Sequence, residues 1–222
     1  MNRFRAAFTF IGVMLVLICL SIPGRVVLAG SGSGNGNSVF LPLITGGSAS
    51  APSTTGLPSL NQFINSIENG DADEVRGVYA SSEFALQVVQ QPADNYGYIS
   101  LKPDTLTEYG LAEQLGVIGL LAHNNLAGKN FFSLEKGEIA TIIFGDGATM
   151  EIRVMSLDRY QALDPYNAYS SLVNLDTGET LDSTQVFKMY YTQENTIVFQ
   201  TCIDQDGSPS WGRLFVVAEP VS

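Results

Sequence analysis

The chain is poor in the residues that build metal and redox sites, with two cysteines and one histidine in 222 residues. One imidazole and so few thiols cannot supply the four ligands of a structural zinc site, and neither a metal nor a cofactor is expected. Basic residues are also scarce. Eleven Lys and Arg stand against 22 Asp and Glu, for a formal charge of −11, which argues against nucleic-acid binding because no basic footprint is available to displace phosphate counterions. The sequence has no Gly-x-Ser-x-Gly elbow, no phosphate-cradling glycine loop, no internal repeat and no βαβ rhythm. Asp204-Gln205-Asp206-Gly207 has the flavour of a calcium loop, but the remaining ligands of such a loop are missing, and it reads as a solvated turn.

The N-terminus runs from Arg3 and Arg5 through an apolar stretch, 6–22, to Pro23-Gly24 and a small residue, Ala29. This order describes a secretory signal cut after Ala29 or, if uncut, an N-terminal membrane anchor over 1–29. Either way an exported chain is expected. Loss of the segment removes Arg3, Arg5 and Arg25 and no acid, so the remainder is more acidic still. Cys19 lies inside the apolar run and reads as filler. Residues 30–58 are dominated by Gly, Ser, Asn, Thr and Pro and read as a flexible linker, because they bury too little apolar surface to offset chain entropy. Its island Leu41-Pro42-Leu43-Ile44-Thr45-Gly46 resembles a Leu-Pro-x-Thr-Gly sorting signal with one residue too many. A single domain is expected over 59–222.

Within that domain, Ser59 and Gln62 have capping-box spacing ahead of Leu60, Phe63, Ile64 and Ile67, which predicts a short helix ending at Asn69-Gly70. Alternating or apolar runs predict strands over 75–79, 84–89, 97–101 and 117–122. Helical spacing of Leu106, Tyr109, Leu111 and Leu115 predicts a helix over 105–115, with 124–129 a polar loop after the sole histidine, His123. Strands over 138–144 and 149–157 flank Gly145-Asp146-Gly147, the strongest hairpin signal in the chain. Residues 161–178 read as a long surface loop, and Asp182 and Gln185 cap a helix running to about Tyr191. A strand over 197–202, a polar loop over 203–211 and a strand over 213–218 close the sequence. Many short strands with tight turns point to a mainly antiparallel barrel.

Three residues at strand ends invite a joint reading: His123, Cys202 and Arg213. Beyond the leader Cys202 has no second cysteine, so a disulfide role is not expected and a nucleophile is. A nearby cation favours the thiolate, an imidazolium can protonate a leaving amine, and a guanidinium can donate to an oxyanion or to substrate backbone. Each has a plainer alternative. Cys202 suits a small buried apolar position, His123 a satisfied polar one, and Arg213 a surface pair with Asp204 or Asp206.

The segment Thr196-Ile197-Val198-Phe199-Gln200-Thr201-Cys202 resembles the T-L-x-T-C strand of the sortases, the cysteine transpeptidases of bacterial surfaces, with Val198 and Phe199 at its Thr and Leu positions. Arg213 is similar to the family arginine, Leu120-Leu121-Ala122-His123 to its histidine segment, and Phe131-Phe132-Ser133-Leu134-Glu135-Lys136-Gly137-Glu138 to its F-x-x-L-x-x-G-D stretch. The resemblance spans about 75–220. It implies a mainly β fold, a closed eight-stranded antiparallel or mixed barrel with a few short helices. It also implies cleavage of a sorting peptide at Thr–Gly or a similar bond, a thioacyl intermediate on Cys202, and transfer to an amine acceptor. His123 would then act as general acid and Arg213 as oxyanion or substrate donor. Thr201, Trp211 and Asn124 are candidate substrate contacts. The setting would be extracellular, secreted or tethered through the N-terminal segment at the outer face of the bacterial cytoplasmic membrane. A thiol peptide hydrolase and a non-catalytic extracellular peptide-binding barrel remain alternatives.

Overall fold

The structure, a computed structural model, describes residues 56–81 and 83–221. The expected leader or anchor, Cys19, the Leu41-to-Gly46 island and nearly all of the linker lie outside the described residues. Among the described residues no helix is long and apolar enough to cross a membrane.

The first helix, α1 (Leu60–Ile67), starts where capping chemistry places it. Gln62 N–H donates to Ser59 Oγ and the Gln62 side chain accepts from Ser59 N–H, so two otherwise unpaired donors are satisfied. Its buried residues Phe63 and Ile67 pack on Tyr79 and Ile143. Strands β1 (Val75–Ala80) and β2 (Phe84–Gln90) form a hairpin. Next come β3 (Thr105–Glu108), the short helix α2 (Gly110–Glu113), β4 (Ile118–Leu121) and a 3₁₀ turn (Ala127–Phe132). Then β5 (Ile139–Phe144) and β6 (Thr149–Ala162) pair across Gly145-Asp146-Gly147. Strands β7 (Leu172–Asn174) and β8 (Thr180–Leu181) and helix α3 (Ser183–Tyr191) precede the final hairpin, β9 (Ile197–Gln205) and β10 (Ser208–Pro220).

Hydrogen bonding runs β10-β9-β4-β3-β2-β1-β5-β6, and β6 returns to β10, so eight strands close a barrel. The pairs β2/β3 and β4/β9 are parallel and the others antiparallel. Strands β7 and β8 extend the sheet beyond β6. The fold is therefore mainly β, a closed mixed barrel with a few short helices. Its interior is apolar and drawn from all eight strands, with Leu86, Leu106, Leu120, Ile142, Ile152, Phe199 and Leu214 at its centre. A second cluster packs outside the barrel, where α3 lays Val186, Phe187, Tyr190 and Tyr191 near Val198, Cys202, Phe215 and Tyr160. Tyr190 stacks on Phe215 with ring centroids 4.2 Å apart. Because successive strand residues point to opposite faces, Phe199 and Thr201 turn inward while Val198, Gln200 and Cys202 turn toward this outer cluster.

Four expectations change. Residues 97–101 form no strand. The helix expected over 105–115 is β3 followed by α2, because Thr105-Leu106-Thr107-Glu108 alternates with period two and is captured by β2 and β4 on either side. The loop expected over 203–211 is a tight hairpin. Asp206 (φ 54°) and Gly207 (φ 76°) are both left-handed, the geometry of a two-residue turn whose twist matches its strands, so β9 and β10 continue to Gln205 and Ser208. The loop over 161–178 shrinks to 163–171, since β6 reaches Ala162 and pairs with β7.

Candidate functional site

The barrel brings the three strand ends together through register. Arg213 on β10 is the direct Cα partner of Cys202 on β9. On the other edge of β9, the parallel pairing runs to Leu121↔Gln200, so β4 ends two residues before His123 at the same end of the sheet at which Cys202 stands. Two hydrogen bonds hold this alignment: Ala122 N–H donates to the Gln200 carbonyl at 3.2 Å, and Thr201 Oγ donates to the Ala122 carbonyl at 2.9 Å. The cysteine strand thus lies between the histidine strand and the arginine strand.

Local structure fixes His123 at its post. Its carbonyl accepts from the N–H groups of Leu126 and Gly128, each at 3.0 Å. Gly128 is required there, because a Cβ would meet Thr201 Oγ and stand 2.8 and 2.9 Å from the carbonyl oxygens of His123 and Ala122. Asn124 Nδ2 donates to the Pro209 carbonyl at 2.9 Å and so ties the end of β4 to the start of β10. The Thr201 hydroxyl is engaged with Ala122, and Trp211 is half-buried on β10. Of the expected substrate contacts, then, two are spent on holding the strand ends in place.

Arg213 is 4% exposed. Its guanidinium bonds to carbonyls, with Nη1 donating to Ser210 and Gly212 at 2.8 Å and Nη2 to Pro165 at 3.1 Å. It makes no ion pair with Asp204 or Asp206. Three of its five N–H groups are used, and Nε–H and one Nη2–H lie outside these bonds. Burial lowers its pKa to about 10, so it remains charged at neutral pH. Burial also lowers the pKa of His123, against a smaller opposing effect of a hydrogen bond to the Ile99 backbone. The resting imidazole is consequently neutral at pH 7. Beside Arg213 lies a cleft lined by Asn167, Ala168, Ser170, Leu172, Ser183 and Val186, with room for about one water.

Cys202 is fully buried, and its sulfur is disulfide-bonded. The expectation of no disulfide role concerns the chain beyond the leader, where Cys202 is the one cysteine. The structure describes the oxidised form of the residue.

Sequence reasoning passes over Gln200. It is fully buried, its Oε1 accepts a hydrogen bond from the Tyr191 hydroxyl, and its Nε2 has no hydrogen-bond partner among the described residues. A long amide in the middle of an otherwise apolar run was the available signal. Among the described residues, no group of three or more His, Cys, Asp or Glu side chains can hold a metal ion.

No protein-family model and no curated protein matches the chain. Solved structures do. The chain is similar to sortase A of Listeria monocytogenes at 14% identity and a TM-score of 0.42, covering 68% of this chain and 89% of that one. For sortase A of Corynebacterium diphtheriae the identity is 13% and the TM-score 0.42, over 67% of this chain and 60% of that one. For the SrtA sortase of Actinomyces oris the values are 10% and 0.43, over 70% and 84%. In structure, at low identity, this chain is similar to solved sortases.

Proposed function

We propose that the domain is a sortase-like cysteine transpeptidase, exported and working at the outer face of the bacterial cytoplasmic membrane, with Cys202 in its reduced form as nucleophile. The observation that carries this reading is the register of three neighbouring strands, which pairs Cys202 with Arg213 on β10 and, on the other edge of β9, lays β4, whose chain reaches His123 two residues past its last strand residue. A dithiol reductant first converts Cys202 to the thiol. The neutral imidazole of His123 then takes the thiol proton, aided by the positive Arg213 beside the developing thiolate. The thiolate attacks the carbonyl carbon of the scissile peptide bond. Arg213 donates to the oxyanion, a role that suits its remaining N–H groups. As the C–N bond breaks, the His123 imidazolium gives its proton to the departing amine and a thioester is left on Cys202. An acceptor amine attacks this thioester, its proton passes to His123, and the thiolate departs. Substrate reaches the sulfur only when part of the outer cover moves, since Cys202 is fully buried.

That burial, together with the disulfide, favours a second reading in which the barrel binds peptides without chemistry. Mass spectrometry separates the two. Protein reduced with dithiothreitol is incubated with peptides carrying a Thr–Gly bond, with and without hydroxylamine as a generic amine. The transpeptidase reading expects an acyl adduct on Cys202 that hydroxylamine discharges to a hydroxamate. A thiol that stays unreactive toward peptides and iodoacetamide until the fold is melted overturns it.

A further inference from the structure

Gln200 stands two residues before Cys202 on the same face of β9, so its side chain lies about 6.6 Å along the strand from the sulfur position. Its carboxamide is oriented, because the Tyr191 hydroxyl donates to Oε1. Burial raises the Tyr191 pKa well above the ordinary tyrosine value, so that hydroxyl keeps its proton and remains a donor. Nε2 is then left as a buried donor with no hydrogen-bond partner. An unpaired buried donor is costly, and native folds rarely leave one without a reason. Only one other buried side-chain polar atom among the described residues shares this condition, Ser210 Oγ. It sits at the same place: the Ser210 carbonyl holds the guanidinium of Arg213. Both orphaned groups therefore flank the Cys202–Arg213 pair, while the rest of the described domain satisfies its buried side chains.

We infer that Gln200 is a substrate-recognition residue, whose Nε2 donates to a backbone carbonyl of the acyl donor about two residues on the acyl side of the bond that Cys202 attacks. This rests on the reading of Cys202 as nucleophile. An extended peptide advances about 3.3 Å per residue, so two residues span the distance from the sulfur to the amide. The inference assigns specificity to an amide acceptor in the peptide main chain.

The test compares two activated donors on the reduced full chain, acetyl benzyl thioester and the benzyl thioester of acetyl-Ala-Ala-Thr, which alone carries the distant carbonyl. Wild type should acylate Cys202 with a preference for the tripeptidyl donor. In Gln200→Met that preference should fall about tenfold, the value of one lost hydrogen bond, with the loss in KM for the tripeptidyl donor. The denaturation midpoint should change little, since the orphaned amide is removed while the Tyr191 hydroxyl loses its acceptor. Tyr191→Phe, which releases the carboxamide, should lower the preference in the same direction and decides the matter if Gln200→Met does not fold. Equal preference in wild type and variants overturns the role of Gln200 while Cys202 remains a nucleophile. Failure of both donors to acylate reduced wild-type Cys202 removes the nucleophile reading and this inference with it.

Discussion

At the scale of single residues, burial decides the protonation states. His123 has its pKa lowered by burial, so the unfolded chain binds that proton more readily than the folded one. Its contribution to stability is present above the unfolded value of about 6.5 and is lost as pH falls toward the folded value. His123→Gln should therefore lose less stability than wild type between pH 7 and pH 5, as read from urea midpoints. Glu108 moves the other way. It is 4% exposed, accepts from Gln90 Nε2 at 2.7 Å, and has its pKa raised to about 7, chiefly by burial. Its folded state holds the proton more tightly, so its contribution is complete below about 4.5 and declines as pH rises to about 7. Glu108→Gln should stabilise the fold at pH 8 by on the order of 2–3 kcal/mol and have little effect at pH 4.5. Equal effects at both pH values would show that the carboxyl is not held protonated. Gln200 was legible only as a residue type out of keeping with its neighbours, because a missing hydrogen bond is a property of what surrounds an atom.

At the scale of elements, capping chemistry was readable because it is local. Asp182 accepts from Gln185 N–H at 2.8 Å and Gln185 Oε1 accepts from Asp182 N–H at 2.8 Å, the box that opens α3. Asp182→Ala should cost about 1 kcal/mol in urea unfolding, and because α3 carries Tyr190 and Tyr191 over the outer face, iodoacetamide should reach reduced Cys202 faster. Gly128 is the counterpart beside His123. Gly128→Ala forces its Cβ toward two carbonyl oxygens and Thr201, so it should destabilise by about 1–3 kcal/mol and slow acylation of Cys202 in the protein that remains folded. A fully stable, fully active variant would mean that the turn yields without moving His123. The element that sequence misjudged, β3, failed for a physical reason. Four residues of period two are too few to outweigh an overlapping helical spacing until two partner strands are known.

At the scale of the molecule, closure rests on β10, which pairs with β9 along one edge and β6 along the other. All eight strands share one interior, so unfolding should be a single cooperative transition. The charge of −11 works against compactness through self-repulsion. Raising NaCl from about 20 to about 500 mM should screen it and raise the melting midpoint. A midpoint that falls with salt would point instead to net favourable surface pairing, of which the described residues offer only Arg76 with Glu74.

Sequence by itself determined the β class, the barrel, both capped helices and the hairpin at Gly145-Asp146-Gly147, since periodicity, capping and turn chemistry act over a few neighbouring residues. Only the tertiary structure decided that Cys202 and Arg213 are cross-strand partners and that β4, which leads to His123, pairs along the opposite edge of β9. Pairing joins residues far apart in the chain, and the parallel β4/β9 contact leaves no local signature. It also decided that Cys202 is buried, that Arg213 rests on carbonyls, and that Gln200 keeps a buried donor without a partner among the described residues. Burial and hydrogen-bond satisfaction exist only once distant elements have packed.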